Sequence, residues 1–193
     1  ERMEVALVVP VKSFAAAKGR LAGAVTDGER ENLARTCAAR VVEAGSPWAV
    51  YVVCDDDSTA EWAESLGAHP VRQTEPGLNA AVASGVAAAR ENGAAHVVVS
   101  HADLPLATSY AHLVHPGEVT LVPDRHRDGT NVLALPADAE FAFRYGPGSF
   151  AAHVESAGRA GLPCRVVDDT SLSLDLDTAD DLDELARRRT SAP

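Results

Sequence analysis

The sequence predicts a single-domain α/β/α sandwich built around a mostly parallel, mixed sheet. Short apolar runs of strand length alternate along the chain with longer segments of helical character, which is the pattern of parallel strands joined by crossover helices. The 193 residues suit one domain with a sizeable core, and no internal repeat, low-complexity tract or linker divides them. We therefore assign residues 1–193 to one domain with its core over about 5–185.

The strands are recognised by continuous runs of β-branched and other apolar residues, as expected where both faces of a sheet are buried. In chain order they are expected at 5–9, 49–54, 97–100, 119–123, 132–135 and 164–167. Ser171–Asp177 instead alternates leucine with serine or aspartate, which predicts a further strand with one buried face.

The helices are recognised by their capping residues. A hydroxyl residue followed three positions later by an acid predicts helix starts at Thr26/Glu29, Ser58/Glu61 and Thr178/Asp181. Further helices are expected at 77–91, ending at Asn92-Gly93, and at 149–161. The last helix has acids in its first turns and arginines in its last turn, which complements the helix dipole. Those acids need no ligand to explain them.

The composition disfavours several kinds of partner. A net charge of −11 is unfavourable for binding nucleic acid or an anionic membrane surface. The apolar runs are too short to span a membrane, and the first residues lack the order of a signal peptide. Cys37, Cys54 and Cys164 are scattered without metal-ligand spacing, so we expect reduced thiols in a cytoplasmic protein.

Polar side chains follow the ends of the expected strands. Lys12, Asp55, His101 and Asp103 all come shortly after an apolar run. Because ligands of such folds bind beyond the carboxyl ends of parallel strands, these residues should share one rim. Lys12 and Lys18 are the only lysines among 17 basic residues. They fit either chance in an arginine-rich chain or a phosphate-binding loop, since lysine is a compact point charge.

Three aspartates form a candidate metal site. On a strand, Asp175 and Asp177 would lie about 6–7 Å apart on one face, close enough to bind one divalent cation or a pair of ions. Asp103 precedes Leu-Pro, and the proline stops further strand pairing, so this carboxylate is presented at the rim. Oxygen ligands favour Mg²⁺, with Mn²⁺ as the alternative. Solvated acids on an exposed strand and a turn-capping Asp103 are the competing interpretations.

Six motifs then occur in order along the chain: VVPVKSFAAAKGRLAG, LNAAV, HADLPL, DGTNVLAL, YGPGSF and LDLDTADDL. With them the chain resembles the 2-phospho-L-lactate or phosphoenolpyruvate guanylyltransferases of coenzyme F-420 biosynthesis, essentially from Val5 to Leu185. The resemblance implies a single-domain, Rossmann-like nucleotidyltransferase fold. It also implies that GTP and a small phosphorylated acid are joined, with release of pyrophosphate and with Mg²⁺, as two ions, as cofactor.

The resemblance assigns roles to individual residues. It implies that Lys12 and Lys18 are catalytic and bind the nucleotide, and that Asn79 also binds the nucleotide. It implies that the metal ligands are Asp103, Asp175 and Asp177, of which Asp103 is also catalytic. The residues that hold the acid are, by the same resemblance, Thr130, Gly146 and Ser149. Ser149, at a helix N-terminus, is expected beside free amides suited to an anion. Gly19 departs from the pattern, because relatives often have serine or threonine there.

The acceptor acid stays open at this point. The alanine- and arginine-rich composition favours phosphoenolpyruvate over 2-phospholactate and 3-phosphoglycerate. The alternatives are another nucleotidyltransferase, acting on a molybdenum cofactor or a sugar phosphate, and a non-catalytic nucleotide-binding module. A homodimer is compatible with the sequence, which does not determine the oligomeric state.

Overall fold

The computed structural model describes residues 3–191, in which one seven-stranded sheet is combined with five α-helices. The strands are β1 (Val5–Pro10), β2 (Ala49–Cys54), β3 (His69–Arg72), β4 (His96–Ser100), β5 (Val119–Pro123), β6 (Thr130–Pro136) and β7 (Cys164–Val166). The helices are α1 (Asp27–Ala44), α2 (Asp57–Ser65), α3 (Leu78–Glu91), α4 (Ser149–Arg159) and α5 (Ala179–Thr190). Within this part of the chain, no helix is long and apolar enough to cross a membrane.

The sheet is mixed and mostly parallel, as predicted. Its strand order is β3-β2-β1-β4-β6-β5-β7, and β6 alone runs antiparallel to its neighbours β4 and β5. The carboxyl ends of β2, β1 and β4 therefore lie side by side at one rim. The missed strand is β3, a partly exposed edge strand of four residues whose proline breaks the apolar pattern.

Helices cover both faces of the sheet. Leu7 and Val9 of β1 belong to a buried cluster that includes α1 and α2 residues, whereas Ala6 and Val8 belong to another that includes α3 and α4 residues. Successive strand residues point to opposite faces, so one apolar strand supplies both layers. Each fully buried valine or leucine contributes about 1.5–3 kcal/mol relative to exposure. The α/β/α sandwich is thereby confirmed.

The predicted helix starts are confirmed at two of the three places. Thr26 with Glu29 and Thr178 with Asp181 form complete capping boxes. The cap of α2 is Asp56 rather than Ser58, because the helix begins sooner after β2 than the Ser58 pattern placed it. The Asp56 carboxylate accepts the backbone N–H of Thr59 at 2.8 Å.

The strand predicted at Ser171–Asp177 is wrong, because this segment has no partner in the sheet. Its alternating burial is nevertheless present, with the leucines buried and the aspartates partly exposed. Leu174 and Leu176 pack with Cys37 and Leu185 in a small satellite core. Residues 171–173 form a turn, so alternating burial shows which side chains face a core and does not require a strand.

Candidate active site

The residues predicted to share a rim follow neighbouring parallel strands. Lys12 comes two positions after β1, Asp55 follows β2, and His101 and Asp103 follow β4. Lys12 and Asp55 are exposed, whereas His101 and Asp103 are partly buried. The rim is therefore formed as expected from the strand order.

Lys18 is turned inward against this rim. Its backbone has φ of +59°, a left-handed conformation that directs the chain into a short turn of 3-10 helix. The ammonium group donates to the carbonyl oxygen of Leu176 and lies 3.7 Å from Oδ2 of Asp103, with 6% of the lysine side chain exposed. In turn, the Leu176 N–H donates to the Asp103 carbonyl oxygen at 3.0 Å. Three distant segments thus meet at one ion pair.

Asp175 lies in the same electrostatic neighbourhood. Burial raises its pKa above the ordinary value, the Asp103 carboxylate raises it further, and a hydrogen bond from Asn131 opposes both effects. Nδ2 of Asn131 lies 3.3 Å from Oδ1 of Asp175. Oδ1 of Asp103 is buried without a hydrogen-bond partner among the described residues. A hard cation bound here would reduce the repulsion between the two carboxylates and would give the unpaired Oδ1 of Asp103 a partner.

Asp177 stands nearer to solvent than Asp175. Its Oδ2 accepts from Arg20 at 2.8 Å, and 40% of its side chain is exposed. The three predicted ligands do not offer oxygens that all lie within 4.8 Å of one another. The structure therefore brings Asp103 and Asp175 into mutual influence and leaves Asp177 on an exposed arginine.

Within residues 3–191, one group of potential metal ligands has its ligand atoms within 4.8 Å of one another. Its members are His126, Asp180 and Asp181. Arg125 already neutralises these acids, with Nη2 2.8 Å from Oδ1 of Asp181 and a further bond to Asp180. Asp181 also completes the capping box of α5. This cluster is therefore explained by helix capping and an arginine ion pair.

Two of the residues predicted to hold the acid form a buried hydroxyl cluster. Thr130 and Ser149 are 1% and 2% exposed. The Thr130 N–H donates to Oγ of Ser149 at 3.0 Å, and Oγ1 of Thr130 lies 2.8 Å from Nδ1 of His153. His153 was missed in the sequence. Its signal is a lone histidine on the buried face of α4, which more often indicates packing than function.

The third residue predicted to hold the acid, Gly146, lies in an exposed loop with φ of +125°. Such a backbone conformation strains residues with a Cβ atom, so glycine is required there. The preceding Tyr145 N–H donates to Oδ1 of Asn79 at 2.7 Å, and the Ser149 N–H donates to the Gly146 carbonyl oxygen at 3.1 Å. Asn79, predicted to bind nucleotide, therefore holds the loop that contains Gly146 against α3.

The expectation of free amides beside Ser149 fails for the three nearest amides. Asp128 binds two of them, because its carboxylate accepts the Gly148 N–H at 3.2 Å and its carbonyl oxygen accepts the Phe150 N–H at 2.9 Å. The Ser149 amide is bound to Gly146. An anion at the start of α4 would consequently have to displace Asp128 or bind beside it.

Residues 5–188 match the protein family described as "Guanylyl transferase CofC like". The chain belongs to this family.

Two relatives illustrate the similarity of this guanylyl transferase CofC-like chain to other proteins. The phosphoenolpyruvate guanylyltransferase of Rubrobacter xylanophilus is 38% identical over 192 residues, which cover 95% of this chain and 94% of the relative. The 3-phospho-D-glycerate guanylyltransferase of Phenylobacterium zucineum is 32% identical over 201 residues, which cover 95% and 92% of the two chains. The enzyme class is therefore guanylyltransferase.

A solved structure from Desulfovibrio desulfuricans G20, described as a nucleotide-diphospho-sugar transferase, matches with a TM-score of 0.80. It is 17% identical, and the match covers 99% of this chain and 90% of that one. At this identity the likeness concerns the fold alone. The expected single-domain, Rossmann-like nucleotidyltransferase fold is confirmed.

In this guanylyl transferase CofC-like chain, the start of β6 joins the two halves of the site. Asn131 binds Asp175 and also donates to the Leu172 carbonyl oxygen at 2.9 Å, whereas its neighbour Thr130 binds Ser149 and His153. Consecutive strand residues point to opposite faces, which places the carboxylates on one side and the hydroxyls on the other. The rim between them is the candidate active site.

Proposed function

We propose that this protein transfers GMP from GTP to the phosphate of a small phosphorylated three-carbon acid in coenzyme F-420 biosynthesis, with phosphoenolpyruvate as the acceptor. A phosphate oxygen of the acid attacks the α-phosphorus of GTP, the bond from that phosphorus to the bridging oxygen breaks, and pyrophosphate leaves. The observation that carries the proposal is the partly buried group of Lys18, Asp103 and Asp175 at the rim, within a chain of this family. The name of the Rubrobacter relative supports phosphoenolpyruvate as the acid.

The residues present fit a hard divalent cation, and we propose Mg²⁺, as two ions, with Mn²⁺ as the alternative. The fit rests on the unsatisfied Oδ1 of Asp103 and on the raised pKa of Asp175, which burial and the Asp103 carboxylate cause. Asp103, Asp175 and Asp177 would hold the metal, whose bound charge would neutralise the phosphates.

The lysines supply the remaining positive charge. Lys12 is exposed at the rim and suited to contact the β- and γ-phosphates of GTP. Lys18 is paired with Asp103, so its role toward the nucleotide requires that the ammonium group turn to the departing pyrophosphate. No side chain needs to act as a general base, because the acceptor phosphate is already ionised near neutral pH.

The acid would lie at the loop that contains Gly146, with Thr130 and Ser149 behind it. Gly146 is exposed and can offer its backbone. Its carbonyl oxygen accepts the Ser149 N–H, and the Ser149 hydroxyl in turn accepts the Thr130 N–H. Asn79 supports the same loop from α3. This arrangement binds a small anion through neutral donors, which leaves the cations to the triphosphate.

The proposal is tested by incubating the protein with GTP, Mg²⁺ and each candidate acid while pyrophosphate release is followed. We expect release with phosphoenolpyruvate and a guanylylated product in the mass spectrum. 2-Phospholactate and 3-phosphoglycerate are the competing acids, the second because it is named for the Phenylobacterium relative. Glucose 1-phosphate and CTP serve as control acceptor and control nucleotide. No release with any of the three acids would overturn the proposal.

A further inference from the structure

His153 uses both nitrogens of a fully buried imidazole. Nε2 accepts the backbone N–H of Arg144 at 2.9 Å, and Nδ1 lies 2.8 Å from Oγ1 of Thr130. Because an acceptor nitrogen carries no hydrogen, the hydrogen of the neutral ring is on Nδ1 and is donated to Thr130. Burial lowers the pKa of His153 to about 4, followed by smaller effects of His101 and Arg144, so the ring is neutral at physiological pH.

This tautomer determines the direction of the Thr130 hydroxyl. Oγ1 of Thr130 accepts from His153, and the Ser149 hydroxyl also donates to it, at 3.5 Å. Neither contact takes the hydrogen of the Thr130 hydroxyl. Among the described residues, that hydrogen is left for donation to another acceptor, such as an oxygen of a bound anion.

The same imidazole holds one side of the acid-binding loop. The Arg144 amide is bound by His153 and the next amide, of Tyr145, is bound by Asn79. The Tyr145 ring also packs edge to face against the His153 ring, with centroids 4.7 Å apart. The backbone that leads into Gly146 is therefore fixed from α3 on one side and from α4 on the other.

We propose that His153 is a positioning residue for the acceptor acid: it orients the Thr130 hydroxyl and fixes the backbone leading into Gly146 in the arrangement that binds the acid. This inference rests on the proposed function. The imidazole is fully buried, so it acts through Thr130 and the loop rather than on reacting atoms. Its effect should accordingly concern the acid and leave the nucleotide almost unchanged.

The test compares His153→Leu and His153→Gln with a matched variant, His96→Leu. His96 is 1% exposed, its pKa is also lowered to about 4, chiefly by burial, and it opens β4 at the end of the sheet remote from the rim. Its Nε2 has no partner among the described residues, so it represents a buried histidine that only packs. For the wild type and the three variants, we would measure urea unfolding, KM for phosphoenolpyruvate and KM for GTP.

We expect His153→Leu to raise KM for phosphoenolpyruvate about tenfold and to change KM for GTP less than about twofold, because lost hydrogen bonds act on the acid only. His153→Gln keeps a donor and an acceptor on one amide group, so it should recover much of the loss. His96→Leu should leave both constants unchanged. Phosphoenolpyruvate should raise the melting temperature of the wild type, and this rise should be smaller in His153→Leu, as expected from its higher KM.

Several outcomes would overturn the role of His153. One is a His153→Leu protein that is less stable but has an unchanged KM for the acid, and another is an equal rise of both constants. If His153→Leu does not fold, His153→Gln and Thr130→Val decide, since a normal acid KM in both contradicts the proposal. A wild-type protein that releases no pyrophosphate with any acid would instead overturn the proposed function itself.

Discussion

The ammonium nitrogen of Lys18 lies 3.7 Å from Oδ2 of Asp103, and 6% of the lysine side chain is exposed. The same carboxylate raises the pKa of Asp175, after burial, so a positive charge is needed where these acids meet. A lysine in that position is attracted by the carboxylates proposed to bind metal. The lysine and a divalent cation bound there would therefore compete for the same negative charge.

From this competition we predict that Lys18→Met binds Mn²⁺ more tightly than the wild type in the absence of nucleotide. Two charges near 4 Å apart interact by about 1–4 kcal/mol depending on exposure, so the gain should be about fivefold or more. Titration calorimetry and Mn²⁺ electron paramagnetic resonance measure it. Lys12→Met is the control, because Lys12 is exposed. Unaltered Mn²⁺ affinity in Lys18→Met would contradict the competition.

We predict different roles for Asp175, proposed to bind metal, and for Asp183 in the first turns of α5, and a pair of charge-removing substitutions tests them. Asp175→Asn removes a proposed metal ligand and should lower kcat by about a hundredfold or more. Asp183 is exposed on α5 and explained by the helix dipole, so Asp183→Asn should retain activity close to that of the wild type. Steady-state pyrophosphate release compares the two variants. Equal activities would remove the metal role of Asp175.

The buried histidines predict a loss of stability in acid. The pKa of His96 is lowered to about 4, mainly by burial, whereas an unfolded histidine titrates near 6.5. Between these values the unfolded chain binds the proton and the folded chain does not, so stability falls as pH falls. The full effect below pH 4 is about 3 kcal/mol. Urea unfolding at pH 7 and pH 5 should show a smaller decrease for His96→Leu than for the wild type; identical decreases would argue against it.

Close helix packing gives a prediction for Gly85 of α3. A Cβ atom there would lie 2.4 Å from Cγ1 of Val8 and 2.7 Å from Cγ2 of Val53. Gly85→Ala should therefore lower the free energy of unfolding by about 1–3 kcal/mol. Gly158, in α4, has open space at its Cβ position, so Gly158→Ala should raise that free energy by up to about 1 kcal/mol. Urea denaturation of both variants checks the contrast, which would fail if Gly85→Ala were neutral.

Much of the fold was predictable because its signals are local. The apolar runs of β1, β2 and β4 and the capping box at Thr26 were recognisable from a few adjacent residues each. Where the local signal was ambiguous, prediction failed. The alternation at Ser171–Asp177 shows which side chains face a core and occurs here without a strand. β3 has too few apolar residues to be seen.

The proximity of several predicted site residues could be predicted from the sequence, whereas their individual contacts could not. Family motifs placed Lys18, Asp103 and Asp175 in one site, and the structure brings them into one electrostatic neighbourhood. That Lys18 faces the Asp103 carboxylate, and that His153 holds Thr130, follow from no motif. Such contacts depend on side-chain direction at residues far apart in the chain.

The sequence by itself determined the α/β/α class, the rim of the sheet and the chemical types gathered there, because strand period, helix caps and strand ends are properties of neighbouring residues. Only the tertiary structure decided that Lys18 donates to Leu176, 158 positions away, and that Asn131 and Thr130 turn to opposite faces of β6. Burial then shifted the pKa values of Asp175 and His153, since the pKa of a carboxyl or an imidazole depends on the dielectric and the partners that folding places around it.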